Sequence, residues 1–313
     1  MSKLISIIIP MFNEKDNISS CLENLYSQSS QDFHVIFVDD GSTDNTVTTL
    51  SEQLSDNIPS FSYEILNQEN SGAAKARELA VKKSKTTYIT LLDCDDKISS
   101  NYIELTLEAI NNFPNVDILM PNMKIESQNG YIDFPFYSLK KTLTGDECLE
   151  HSLGEWRVHG VTCSKKELFL KSYSKYKEYN SSDENYINND EVITRLNFYY
   201  SDKIVRTDAI YYYQNNPEST TKKINSKRYL MCRNAIILKK LFSESSNLSV
   251  VKNVNKELIS TLWGTAFYAL KNKKILPNIQ EWKNEIQDTI KAIDKPYLAS
   301  PKIMLSKIIK III

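Results

Sequence analysis

A chain of 313 residues with 41% hydrophobic content is long enough to bury a sizeable core, as one large domain with an appended module. Its 38 basic and 39 acidic residues leave a formal net charge of -1, which excludes a basic nucleic-acid binder. Five cysteines, Cys21, Cys94, Cys148, Cys163 and Cys232, are odd in number and far apart, so neither a disulfide framework nor a paired-cysteine metal site is written here and a reducing cytoplasm is expected.

The first apolar run, Leu4 to Ile9, has no cleavage-site pattern and leads straight into Pro10-Met11-Phe12-Asn13-Glu14, so it reads as a core strand and not as a signal peptide. No segment reaches the roughly 18 unbroken apolar residues of a membrane span, and the chain is expected to be soluble or peripheral. Further strands fit His34 to Val38, Tyr63 to Leu66, Tyr88 to Leu92 and Val116 to Met120. Helices fit about Asp16 to Gln28, Asn45 to Leu54, Gly72 to Lys83 and Asn101 to Asn111, with Ser42 or Thr43 capping the second. All-apolar strands alternating with helical periodicity predict an α/β fold: a mostly parallel, doubly wound sheet with helices on both faces. Gln128-Asn129-Gly130 reads as a turn in a loop-rich middle. From about Lys222 the texture changes to basic and apolar helices broken at Pro277, Pro296 and Pro301, which predicts a C-terminal helical module over 222–313 behind two halves, 1–100 and 101–221.

The polar groups that stand out all follow strand ends, where open parallel sheets bind their ligands. Phe12, Asn13 and Glu14 follow the first strand, Asp39, Asp40 and Gly41 the second, Asn67 to Arg77 the third, and Asp93, Asp95 and Asp96 the fourth. Crowded carboxylates repel one another, and a hard divalent cation bridging two phosphates relieves that repulsion. An aromatic ring for stacking, carboxylates for hydroxyls and an arginine for phosphate complete an inventory that suits a nucleoside diphosphate with a metal.

Four segments, Ile9-Pro10-Met11-Phe12-Asn13-Glu14, Val38-Asp39-Asp40-Gly41-Ser42-Thr43-Asp44, Asn70-Ser71-Gly72-Ala73-Ala74-Lys75-Ala76-Arg77 and Asp93-Cys94-Asp95-Asp96, together resemble the family 2 glycosyltransferases of the GT-A fold, of the bacterial surface-polysaccharide type. The resemblance is tight over residues 3–125, looser over 126–222, and makes 1–100 the nucleotide-sugar half and 101–221 the acceptor half. It implies that Pro10 and Phe12 line the base pocket, Glu14 holds the ribose, Asp39 reads a uracil ring and Arg77 is the family's arginine. Asp93 and Asp95 resemble the Asp-x-Asp pair, the first facing the ribose or sugar and the second, Asp95, ligating manganese or magnesium. Where many members have Gly-Gly and Ala-Arg-Asn, this chain has Ser71-Gly72 and Ala76-Arg77-Glu78.

Transfer to a hydroxyl also needs a base. Asn188-Asn189-Asp190-Glu191 opens a helix and resembles the family's acidic pair in reversed order, which leaves the base open between Asp190 and Glu191. Glu191 lies one helical turn from Arg195, which favours Asp190. Tyr211-Tyr212-Tyr213-Gln214-Asn215-Asn216 and the residues to Thr221 look like the tyrosine-rich strand and closing loop of relatives, with Asn216 a candidate oxygen ligand to the metal. Trp156 and His159 fall where acceptor-facing residues are expected; domain packing is the equal reading for Trp156, and a structural role is the commoner one for a lone histidine.

The expected activity is inverting, metal-dependent transfer of one sugar from a UDP-linked donor to a growing surface or lipid-linked glycan. The rivals are a nucleotide-sugar-binding protein without catalysis and a phosphatase using the Asp-x-Asp pair. A nicotinamide dehydrogenase is excluded, since no Gly-x-Gly occurs among the seven glycines. At the end of the sequence a helical wheel puts Lys302, Ser306, Lys307 and Lys310 on one arc and Met304, Leu305, Ile308, Ile309, Ile311 and Ile312 on the other. That pattern predicts contact with the inner face of the cytoplasmic membrane, with packing on the same domain or on a twin subunit as the alternatives.

Overall fold

The computed structural model describes residues 3–216 and 224–313. Its elements run β1 (Ile5–Met11), α1 (Ile18–Tyr26), β2 (His34–Asp39), α2 (Thr46–Asp56), β3 (Ser62–Asn67), α3 (Ala73–Lys83), β4 (Tyr88–Leu91), β5 (Lys97–Ile98) and α4 (Tyr102–Asn112). There follow β6 (Ile118–Ser127), β7 (Gly130–Asp133), β8 (Thr142–Leu143), α5 (Gly145–Ser152), β9 (Cys163–Lys165), α6 (Lys166–Tyr179), α7 (Asn189–Tyr199), β10 (Ile204–Tyr213), α8 (Met231–Phe242), α9 (Leu248–Asn272), α10 (Ile279–Lys291) and α11 (Pro301–Ile312). The chain divides into two compact units, one of Met1–Asp146, His159–Glu178 and Leu196–Asn216, the other of Glu147–Val158, Tyr179–Arg195 and Pro217–Ile313. The boundary expected at 221 and the closing loop from Pro217 to Thr221 lie outside the described residues.

The first unit is a ten-stranded sheet ordered β3-β2-β1-β4-β9-β6-β10-β5, with β7 on β6 and β8 on β10. It is parallel from β3 to β4, as expected, whereas β9 runs antiparallel to both β4 and β6, so the whole sheet is mixed. Every residue of β1 is buried, which is why Ile5-Ser6-Ile7-Ile8-Ile9 reads as a continuous apolar run. α1 meets the core through Ile18, Cys21, Leu22 and Leu25, the spacing of one helix face. β1 pairs with β2 as far as Met11 but with β4 only as far as Ile8. The Ile8 carbonyl points to the β4 side, where it accepts from Leu92 N, so Pro10, two residues on, directs its missing N–H to the side where pairing has ended. Strand order also reverses between β1 and β4, so this opening is the switch point at which such sheets take ligands.

The sheet's middle carries the turn expected at Gln128-Asn129-Gly130, where Ser127 pairs with Gly130 and Gly130 takes φ +105. The helix cap was misassigned by sequence. Asp44 Oδ1 accepts from Thr46 N at 2.9 Å at the start of α2, while Ser42 and Thr43 turn to the loop after β1. The second unit's helices close over a core that includes Leu258, Leu262, Ile286, Ile290, Ile303 and Ile309, and the five cysteines of the chain are buried and form no disulfide. No helix among the described residues is long and apolar enough to cross a membrane.

Candidate active site

The loops at the switch point are fastened to one another before any ligand arrives. Asn13, in the left-handed region at φ 57, donates its N–H to Ser42 Oγ (2.9 Å) and accepts at Oδ1 from Thr43 N (2.8 Å). Asp40 is buried, and its carboxylate accepts from Ser71 N, Gly72 N and Gln68 Nε2 at 2.7–2.8 Å, so it holds the loop after β3. Gly41, at φ +73, lies against that loop so closely that a Cβ would fall 2.8 Å from Asn70 N; only glycine fits there. Asp39, also buried, accepts from Ser42 N at 3.3 Å.

Around this frame stand the expected donor residues. Pro10 is in β1, and Phe12 is 45% exposed, an aromatic face open at the tip of a strand. Glu14 accepts from Asn17 Nδ2 (2.6 Å), and burial, with the nearby charges of Asp95, Asp93 and Asp44, holds its carboxyl above the usual range. Arg77, on α3, donates from Nη2 to Asp93 Oδ1. Asp96 is buried and accepts from Tyr211 Oη (2.6 Å) and Gln214 N (2.7 Å); burial first, then the charge of Asp93, pushes its carboxyl up to about 7. The role of Tyr211 was not singled out by sequence, although its place in the tyrosine run was the available signal. Between the acids, Cys94 turns inward, and the hydrogen bond to Cys21 together with burial holds its thiol well above the ordinary range.

Asn216 Nδ2 donates to Asp95 Oδ2 at 2.7 Å, so in this orientation the amide supports the carboxylate and presents no oxygen to it. Among the described residues no group of three or more His, Cys, Asp or Glu forms a metal cage. The donor set here is instead one or two carboxylates at an open edge. It fits magnesium or manganese that draws its other ligands from a diphosphate and water, and it does not fit a closed structural metal.

The remaining candidates lie on other elements. His159 is buried in the first unit, its ring 5.3 Å from that of Phe134 and its Nε2 hydrogen-bonded to the Pro121 carbonyl at 3.0 Å. Burial depresses it to about 4, so it is a neutral packing residue in this structure. Asp190, Glu191 and Trp156 belong to the second unit. There Arg195, fully buried, pairs with Glu191 (3.0 Å) as the sequence spacing suggested, and also with Glu257 of α9 (3.5 Å). It donates to the Ser152 carbonyl and lies 4.1 Å from the Trp156 ring. Burial raises the Glu191 carboxyl, outweighing the arginine that lowers it, so the arginine does not by itself make Glu191 the weaker base. Asp190 is exposed at the start of α7.

A mixed sheet whose switch point gathers an exposed aromatic ring, carboxylates and an arginine has the architecture of the GT-A fold. The family model for glycosyl transferase family 2 matches residues 6–153, a little under half of the chain. Glycosyltransferase GlyG of Streptococcus pneumoniae is 30% identical over 184 residues, covering 54% of this chain and 59% of that protein. The teichoic acid poly(glycerol phosphate) polymerase of Staphylococcus epidermidis is 39% identical over 112 residues, 36% of this chain and 15% of the polymerase. This chain therefore spans less than two thirds of the length of these relatives. The crystal structure of S. aureus TarS 1-349 in complex with UDP-GlcNAc shares the fold at a TM-score of 0.69 and 18% identity, covering 98% of this chain and 88% of that one.

Proposed function

We propose that the protein is an inverting, metal-dependent glycosyltransferase that moves one sugar from a UDP-linked donor to a hydroxyl of a growing surface glycan or lipid-linked glycan. One observation carries the reading: Glu14, Asp93, Asp95 and Asp96 crowd at the switch point of a family 2 domain, and a divalent cation with a diphosphate would turn that repulsion into binding. The relatives' names support the donor and acceptor classes, since one polymerises a teichoic acid and one structure holds UDP-GlcNAc.

In this reading Phe12 and Pro10 line the base pocket, Asp39 accepts from the uracil ring, Glu14 meets the ribose, and Asp95 ligates the cation with Asp93 beside it. Bound there, the cation would neutralise charge developing on the departing diphosphate. Arg77 adds a second positive group at the same phosphates, and its pairing with Asp93 keeps the guanidinium aimed while the site awaits donor. Asp190, or Glu191, removes the acceptor proton as the new bond forms, and no covalent intermediate is required. The station of the enzyme is the cytoplasm, with the inner membrane face reached through residues 302–313.

Incubation with a panel of nucleotide sugars tests the reading. Metal-dependent hydrolysis or transfer confined to UDP-sugars, with the released sugar inverted at its anomeric carbon by NMR, is the expected result. Tight UDP binding with neither hydrolysis nor transfer across glycan acceptors would leave a binding protein instead.

A further inference from the structure

We propose that α11 is a preformed docking face for an anionic lipid surface, presenting Met304, Leu305, Ile308, Ile311 and Ile312 to the acyl region and Lys302 and Lys307 to the headgroups. The proposal deepens the membrane station given above and is independent of the reaction.

The sequence wheel set a polar arc against an apolar one, and the structure corrects it. Ile303, Ser306 and Ile309 form the buried seam of α11, with Ser306 Oγ satisfied by the Lys302 carbonyl at 2.7 Å and Lys310 Nζ reaching Gln287 of α10. Ile303 and Ile309 join the core made with Leu258, Leu262 and Ile286. The helix is therefore already held by one apolar stripe, and the other remains outside. Met304, Leu305, Ile308, Ile311 and Ile312 are 46–78% exposed, where a water-facing helix would carry polar residues. At the border of the same core the half-buried ring of Trp263 lies 5.8 Å from that of Phe267, an exposed aromatic of α9.

Charge selects the occupant. α11 contains three lysines and no acid, and residues 224–313 hold 16 Lys and Arg against 6 Asp and Glu in a chain whose total is -1. A second copy would bring the same excess of positive charge to the contact, and like charges at an interface are disfavoured. An anionic leaflet supplies the opposite sign, and an apolar face flanked by lysines gives the two signals that stable attachment to a bilayer needs. Because the helix is folded beforehand, binding carries no cost of helix formation.

The test uses the full chain, without nucleotide, and vesicles of phosphatidylcholine with increasing phosphatidylglycerol. Pelleting should rise with the anionic fraction and fall with salt. Leu305→Glu with Ile308→Glu should lower partitioning about tenfold or more while far-UV circular dichroism and the thermal midpoint hold, since both side chains are exposed. If the glutamates disturb the fold, Lys302→Gln with Lys307→Gln should give the same loss at high phosphatidylglycerol in smaller degree. Unchanged pelleting of the folded variants, or equal pelleting on neutral vesicles, overturns the proposal. So does a wild-type dimer in sedimentation velocity that Ile308→Glu splits, because the face would then belong to a second copy.

Discussion

Each unit holds a cluster of charge, and the two are built on opposite terms. In the second unit a fully buried arginine is met by two carboxylates and a carbonyl and lies against an indole ring, so positive and negative groups compensate one another in place. In the first, Glu14, Asp93, Asp95 and Asp96 crowd together, two of them held above the usual carboxylate range, and Arg77 reaches Asp93. The closed cluster has what it needs to hold a fold. Among the described residues the open one is short of positive charge, which is the condition under which a ligand's cation gains most.

The largest effect should come from opening the closed cluster. Arg195→Met strands Glu191 and Glu257 beside a buried apolar chain and should cost about 3–5 kcal/mol in urea unfolding; a loss below about 1 kcal/mol would mean the pairing is incidental. His159 sharpens the contrast as a buried titratable group of the first unit. Its folded value of about 4 lies below the ordinary 6.5, so its contribution is present above pH 6.5 and is lost as pH falls towards 4, on the order of 3 kcal/mol. His159→Gln should flatten that acid limb in pH-dependent melts, and an unchanged limb would remove His159 from the account.

Asp190→Asn should lower turnover by about a hundredfold, or roughly 2.7 kcal/mol, with UDP affinity nearly intact, and Glu191→Gln should hurt less. A dead Glu191→Gln beside an active Asp190→Asn reverses the assignment. The smallest change in stability belongs to the open cluster. Asp95→Asn should leave the ligand-free protein as stable or up to about 1 kcal/mol more so, because a repelling charge is gone. Calorimetry should then find UDP binding no longer strengthened by manganese or magnesium, and a metal requirement equal to wild type would shift the ligand away from Asp95.

What the sequence revealed follows from how locally each feature is encoded. The central strands announce themselves because burial on both faces demands unbroken apolar runs, and the candidate donor-binding residues sit at their ends. β5, β8 and β9 are two or three residues long, too short for any periodicity, and owe their existence to partners elsewhere in the sheet. Ser42 and Thr43 have the chemistry of helix caps, yet Asn13 claims both, a tertiary contact outbidding a local rule. The Glu191–Arg195 pair was legible from its helical spacing, whereas Glu257, far along the chain on α9, was not. For α11 the apolar character was plain, but a helix apolar on two sides does not say which side its own core will take.

One consequence of the inward turn of Cys94 concerns time. Its thiol, 3% exposed and kept protonated beside Cys21, is shielded from alkylating reagents while the loop between Asp93 and Asp96 is closed. Modification at that position therefore proceeds no faster than the loop opens, and peptide mapping distinguishes it from the other buried thiols. A residue outside the proposed donor contacts thus serves as a clock for the motif that surrounds it, and a nucleotide that clamps the loop should slow the clock.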